Sequence, residues 1–242
     1  NQFLLTIMKP EISTKASIYN LIILDESGSM SPVTAQTISG CNETINTIKH
    51  SAREYADTQE HFISIFAFQS GCAPSRYLIK NVPALAATHI TGKDYEPGGC
   101  TPLYDAIGST LSDLKATTSD RPMAIGSVTI ITDGYENSSE RYNHAQVQRM
   151  ISQLKEMGWN FNFIGANIDV DRTARSLNID NAMAFTQDAE GTKEAFARYG
   201  KAQARKSKRM DILMKECCDY DARIERLKRE EKGFFDETED QA

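Results

Sequence analysis

Histidine is scarce in this chain of 242 residues. His50, His61, His89 and His144 each fall on or beside a predicted helix or strand, with no convergence on one point. No nucleophile is therefore paired with an evident base. No Gly-x-Gly-x-x-Gly follows the first strand-like run, no P-loop is present, and Ser29 is not in a Gly-x-Ser-x-Gly elbow. No catalytic residue is assigned. A surplus of positive charge is also missing: the formal net charge is −6, which argues against nucleic acid and against anionic membranes as partners. No apolar stretch approaches the roughly 20 residues needed to span a bilayer. The first ten residues are briefly apolar but lack a preceding basic segment and a small-residue cleavage site, so no export signal is read there. The cysteines, Cys41, Cys72, Cys100, Cys217 and Cys218, are odd in number and show no metal-ligand spacing. Reduced thiols in a cytoplasmic protein are the expectation.

What is present is an alternation of strand-like and helix-like segments. Residues 20–25 form a continuous apolar run ending in Asp25, as a central parallel strand buried on both faces would. Val33 to about Asp57 carries Ile38, Cys41, Ile45 and Ile48 at helical spacing. Phe62–Phe68 reads as a strand, and a short turn then gives Arg76–Val82, an antiparallel edge strand. Thr101-Pro102 opens a helix to about Lys115, with Pro102 at its first position. Met123–Thr132 reads as a strand and Ser138–Met157 as a helix closed by Gly158. Trp159–Ala166 reads as a strand, Asp169–Leu177 as a short helix and Ala182–Thr186 as a last short strand. This pattern predicts a three-layer, doubly wound α/β fold around a mostly parallel sheet with one antiparallel edge strand. Ligands of such sheets bind at strand carboxyl ends near a reversal of strand order. Asp25 and Asp133 both fall at such ends.

Asp25, Ser27 and Ser29 alternate in the segment Leu24–Met30, where a strand gives way to a loop. A carboxylate and two hydroxyls so spaced can turn three oxygens toward one point, the ligand type that hard divalent cations prefer. Further on lie Gly98-Gly99-Cys100-Thr101-Pro102 and, after the run 128–132, Asp133-Gly134. Together these segments resemble the metal-ion-dependent adhesion site (MIDAS) of von Willebrand factor A (vWA) domains: Asp-x-Ser-x-Ser, a distant Thr and a distant Asp, all in order. Cys100 stands where Thr is commoner in the family. The resemblance covers about residues 18–187. It implies a Rossmann-like vWA fold and metal ligation by Asp25, Ser27, Ser29, Thr101 and Asp133. The two Ser and the Thr would contact the ion directly, and the two Asp directly or through water. It implies Mg2+, with Mn2+ or Ca2+ as alternatives, and a protein partner that presents an Asp or Glu to the ion. Taken singly, Ser27 and Ser29 also suit loop capping and Thr101 a helix N-cap. Asp105 reads as a favourable charge in a first helical turn, Gly28 as freedom for the loop to bend, and Glu26 and Glu136 as flanking charges.

Residues 1–17 are set apart as an N-terminal extension, 188–235 as a C-terminal helical extension and 236–242 as an acidic tail. The helix expected over 187–232, with an interruption near Gly200, carries Met210, Leu213, Cys217, Tyr220, Ile224 and Leu227 in a heptad-like stripe. That stripe packs on the domain or serves self-association. The function expected from the resemblance is that of an intracellular, non-enzymatic interaction module of the stand-alone prokaryotic type, an adaptor or complex subunit. The alternatives are an exported surface or matrix adhesin and a metal-dependent phosphohydrolase. The latter is disfavoured because Ser27 stands where a haloacid-dehalogenase-type phosphatase has its second Asp.

Overall fold

The computed structural model describes residues 15–121, 123–217, 219–230 and 233–236. Most of the N-terminal extension, and the acidic tail from 237 onward, lie outside the described residues. The central strand β1 (Ala16–Asp25) is buried at every position. It is flanked in parallel by β2 (Gln59–Phe68) on one side and β4 (Ala124–Thr132) on the other. β3 (Arg76–Pro83) closes one edge antiparallel to β2, while β5 (Asn160–Gly165) and β6 (Asn181–Ala184) extend the other side in parallel. The strand order is β3-β2-β1-β4-β5-β6. The chain thus leaves β1 in one direction and returns on its other side at β4. This reversal opens a crevice at the carboxyl ends of β1 and β4.

The helices are α1 (Thr34–Glu54), α2 (Leu103–Thr118), α3 (His144–Lys155), α4 (Val170–Ser176), α5 (Ala189–Glu216) and α6 (Tyr220–Glu230). Because side chains alternate across a strand, β1 feeds two cores. Leu21 and Ile23 pack with Ile107 and Leu111 of α2, Val147 of α3 and Ala174 of α4. Ile22 and Leu24 pack with Cys41 and Ile45 of α1 and with Phe196 and Tyr199 of α5. The molecule is therefore a three-layer, doubly wound α/β protein with one antiparallel edge strand, the Rossmann-like vWA fold.

Two features differ from the sequence reading, and the C-terminal helix packs on the domain, as one of its two alternatives had it. α3 begins at His144 rather than Ser138, with an Asn143–Gln146 capping box at its start. The six residues before it form a loop held by carboxylates, as described below. The C-terminal helix runs straight through Gly200 to Glu216, and a second helix starts at Tyr220. α5 is also part of the domain core, because Phe196 lies directly on Gly40 of α1: a Cβ at Gly40 would fall 2.1 Å from the Phe196 ring. The stripe beyond it packs beneath the sheet, where Met210, Leu213, Ile224 and Leu227 join Ala16, Ile18, Met123 and Ile125 in a third cluster.

At the amino ends of the strands a buried polar network joins β2 to α5. Thr58 Oγ1 donates to Asp211 Oδ1 at 2.7 Å, and Gln59 Nε2 donates to the Ser207 carbonyl at 2.8 Å. His61 sits between Gln59 Oε1, 3.1 Å from its Nε2, and Asn20 Nδ2, 3.4 Å from its Nδ1. This arrangement suits the neutral Nε2–H tautomer. Burial, aided by the charge of Lys206, pushes the His61 pKa down to about 4. A base depressed in the folded state stabilises the fold fully above its ordinary value and loses that contribution as pH falls. Stability should therefore drop by on the order of 3 kcal/mol between about pH 6.5 and 4. Denaturant titrations across this window should show the loss in the wild type and a shallower slope in His61→Gln. Equal slopes would assign the loss to other groups.

Candidate metal centre

The crevice at the reversal point gathers the five residues singled out in the sequence. Asp25 ends β1 and is fully buried, while Ser27, Thr101 and Asp133 are at most 3% exposed. Ser29 lies at the surface of the loop. The Ser27 backbone N–H donates to Asp25 Oδ1 at 2.7 Å, which turns the loop back over the carboxylate. The Ser27 and Ser29 hydroxyls stand 3.1 Å apart, and Ser29 Oγ donates to Asp133 Oδ1 at 2.7 Å, linking the end of β1 to the end of β4. Thr101 arrives from the third segment. Its hydroxyl is close enough to the Asp133-Gly134 step that a Cβ on Gly134 would touch it at 3.4 Å.

Neither capping role explains these hydroxyls. The 3-10 turn Gly28–Val33 begins after Ser27 without a side-chain cap, and so does α2, whose N-cap is Pro102 rather than Thr101. Thr101 is instead positioned by its backbone: its N–H donates to Asn137 Oδ1 at 2.8 Å, and its carbonyl accepts from the Asn137 N–H at 3.1 Å.

The loops are fixed by carboxylates that carried lesser roles in the sequence reading. Glu26 is fully buried and accepts two hydrogen bonds from Arg76, at 2.6 and 3.0 Å. It also accepts from Gln69 Nε2 at 3.1 Å and from the Glu96 N–H at 2.7 Å. Its carbonyl receives the Gly98 N–H at 2.8 Å. One side chain thus ties the Thr101 loop to β1 and β3. Glu136 accepts from the backbone of Tyr104, Ser138 and Ser139. Asp105 serves as more than a dipole partner. Its carboxylate accepts from three successive backbone N–H groups, Glu140 to Tyr142, at 2.7–2.9 Å. These bonds hold the loop that delays the start of α3.

Gly99, not Gly28, is the glycine that the loop requires. Its φ is +66°, and a Cβ there would fall 1.8 Å from the Ser70 carbonyl oxygen, which also accepts the Cys100 N–H at 2.8 Å. A Cβ at Gly28 would meet nothing nearer than 3.6 Å.

Three further residues at the site carried no motif signal. Thr132 Oγ1 donates to Asp25 Oδ2 at 2.6 Å, and Tyr95 Oη donates to the Asp25 carbonyl at 2.6 Å. Gln187, from the loop between β6 and α5, donates through Nε2 to Asp133 Oδ2 and to the Ser29 carbonyl. Thr132 directly precedes Asp133 in a strand, so its inward face was readable in principle; Tyr95 stands three residues before Gly98 but in no motif position, and Gln187 lies far from the motifs in sequence.

Electrostatically, the centre is a pair of acids with no cation beside them. Burial pushes the Asp25 pKa up to about 6 against the hydrogen bonds of Thr132 and Ser27, and the nearby Asp133 charge adds to the rise. Burial raises Asp133 as well, opposed by Ser29 and Gln187. Among the described residues no Lys or Arg stands among the leading causes of either shift, and Arg76 is paired with Glu26. Two desolvated carboxylates surrounded by hydroxyl oxygens suit a hard divalent cation. Among the described residues no group of three or more His, Cys, Asp or Glu side chains is placed to hold a metal. A cation held here therefore needs the hydroxyls as well as the two acids.

No family model matches the sequence, and no curated protein matches it. Among solved structures, the open conformation of the pilus adhesin SpaC from Lactobacillus rhamnosus GG is similar at 13% identity with a TM-score of 0.57. The alignment covers 79% of this chain but only 30% of SpaC. The ArnB paralog VWA2 from Sulfolobus acidocaldarius aligns at 16% identity and a TM-score of 0.49, over 77% of this chain and 46% of that one. Manganese-loaded TRAP protein from Plasmodium vivax aligns at 18% identity and a TM-score of 0.46, over 75% and 72%. At such identities the SpaC likeness speaks to the fold alone. Fold and crevice together define a vWA-fold α/β protein with an acid-and-hydroxyl centre at the ends of β1 and β4.

Proposed function

We propose that Asp25, Ser27, Ser29, Thr101 and Asp133 form a metal-ion-dependent adhesion site through which this protein binds an Asp or Glu of a protein partner. The reading makes it a non-enzymatic adaptor or subunit of a cytoplasmic complex. One observation carries it: two buried acids meet across β1 and β4 with no cationic side chain between them, beside hydroxyls that cap no helix. Mg2+ is the expected ion, with Mn2+ or Ca2+ as alternatives; when bound, it supplies a positive centre that attracts a carboxylate. Asp25 and Asp133 would neutralise part of its charge. Ser27, Ser29 and Thr101 add neutral oxygens, so the centre keeps enough positive character to recruit an acid from outside. Beside Thr101, Gln69, Ser70, Pro102 and Ser138 border an open groove of about 620 Å³, room for the chain that carries such an acid. The exposed thiols of Cys72 and Cys100 favour a reducing compartment. Among the described residues no helix is long and apolar enough to cross a membrane.

Calorimetric titration of Mg2+ and Mn2+ into metal-stripped protein tests the reading. The wild type should bind one ion per chain saturably. Asp25→Ala should lose that binding, and Thr101→Ala should weaken it. Wild-type heats that match those of Asp25→Ala would refute the site.

A further inference from the structure

Gln187 belongs to none of the three segments that build the centre, yet its side chain amide is wedged among them. Nε2 donates both to Asp133 Oδ2 and to the Ser29 carbonyl, the latter at 2.6 Å. Oε1 accepts from Asn167 Nδ2, on the loop after β5. Asn167 is one of three non-glycine residues at positive φ among those described, at +56°. The amide is therefore held at both ends. Asp133 Oδ1 is already taken by the Ser29 hydroxyl at 2.7 Å, so Gln187 engages the remaining carboxylate oxygen. Asp133 thus has both oxygens hydrogen-bonded and its orientation fixed from two sides.

We propose that Gln187 is a positioning residue that clamps Asp133, keeping its carboxylate from bonding a cation directly and so holding the ion weakly enough to need a partner's acid. The proposal rests on the metal-site reading above. The physical reasoning concerns charge. A carboxylate oxygen that accepts an N–H bond from a fixed amide donates less density to a cation, and turning it inward means breaking that bond. A hydrogen bond to a charged group of this kind corresponds to about a tenfold change in affinity. With the clamp removed, the Asp133 carboxylate would be free to turn inward and take the place of a water on a bound ion. Its direct charge would hold such an ion more tightly and leave less positive character for a partner.

Mn2+ is the probe, because its water-proton relaxivity reports how many water molecules stay on the bound ion. The full chain is stripped of metal and compared as wild type, Gln187→Ala, Gln187→Met and Asp25→Ala. Gln187→Met keeps the length of the side chain, removes the N–H donor without adding charge and serves if the alanine variant folds poorly. Both Gln187 variants should bind Mn2+ about tenfold more tightly than wild type, and Gln187→Ala should show the relaxivity of one fewer bound water. Affinity that is unchanged within twofold or weaker, or an unchanged relaxivity, while wild type still binds saturably, overturns the clamp and leaves the metal site standing. A wild type that binds no better than Asp25→Ala overturns the site and the clamp together.

Discussion

Arg76→Ala should destabilise the protein by about 3–5 kcal/mol, and by more than Glu26→Gln does, although Arg76 lies on an edge strand. The asymmetry follows from exposure: the Arg76 side chain is 34% exposed and that of Glu26 is 0% exposed. Removing Arg76 leaves a carboxylate in the interior with only Gln69 and a backbone N–H as donors. Neutralising Glu26 leaves a guanidinium that still reaches water and keeps its bond to the Asp94 carbonyl at 2.8 Å. For a domain of this size the loss corresponds to a drop in melting temperature of about 10 °C. Thermal unfolding of the two variants measures it, and a larger loss in Glu26→Gln would reverse the assignment. Arg76→Ala should also weaken Mg2+ binding without touching any proposed ligand, because the Glu26–Arg76 pair holds the 94–100 segment that delivers Thr101.

The second large effect lies between α1 and α5. Phe196→Ala should cost about 3–5 kcal/mol, the range for an aromatic side chain removed from a packed core. Gly40→Ala should cost 1–3 kcal/mol, because its new methyl group would strike the Phe196 ring near its root, 2.1 Å from Cγ. The two effects should not add. Once the ring is gone, alanine at position 40 has room, and within a helix it is favoured over glycine by about 1 kcal/mol. The double variant should then be no less stable than Phe196→Ala alone. Denaturant midpoints for the four proteins of this cycle provide the measurement. Additive losses would mean that the ring and Gly40 are not the contact described.

Much of the sheet was legible because its determinants are local. The run before Asp25 is apolar on both faces, as only a central strand needs to be, and the short turn after Phe68 leaves β3 little choice but to run antiparallel. Asp25, Ser27, Ser29 and Asp133 were legible as oxygen-bearing residues just at or after strand ends and Thr101 as one before a helix, and the fold brings these segments into one crevice. The C-terminal helix was harder, because an amphipathic stripe looks the same whether it meets its own domain or another chain. Tertiary contacts such as that of Phe196 with Gly40 place α5 in the core. The six residues from Ser138 to Asn143 read as helix because nothing local forbids it. Glu136 takes the amides of Ser138 and Ser139 from close by, but Asp105 captures those of Glu140 to Tyr142 from more than thirty residues away, which no short window reveals. Gln187 and the burial of Glu26 were hidden for the same reason: a glutamine in a loop and a glutamate beside a motif acquire their roles from partners far away in the chain.

Placing α5 in the core also has a consequence for biosynthesis. The centre of the sheet, β1, leaves the ribosome early, but its neighbour β4 is made about a hundred residues later, and Phe196 and Tyr199 later still. Until α5 emerges, the face of the sheet formed by Ile22, Leu24, Ile131 and Ile164 lacks part of its cover. Between the synthesis of β5 and that of α5 the nascent chain therefore carries a sticky, unfinished surface. Such intermediates are the species that chaperones bind and that aggregate when chaperones are scarce. Truncation before Phe196 should consequently yield insoluble chains even though every strand of the sheet is present.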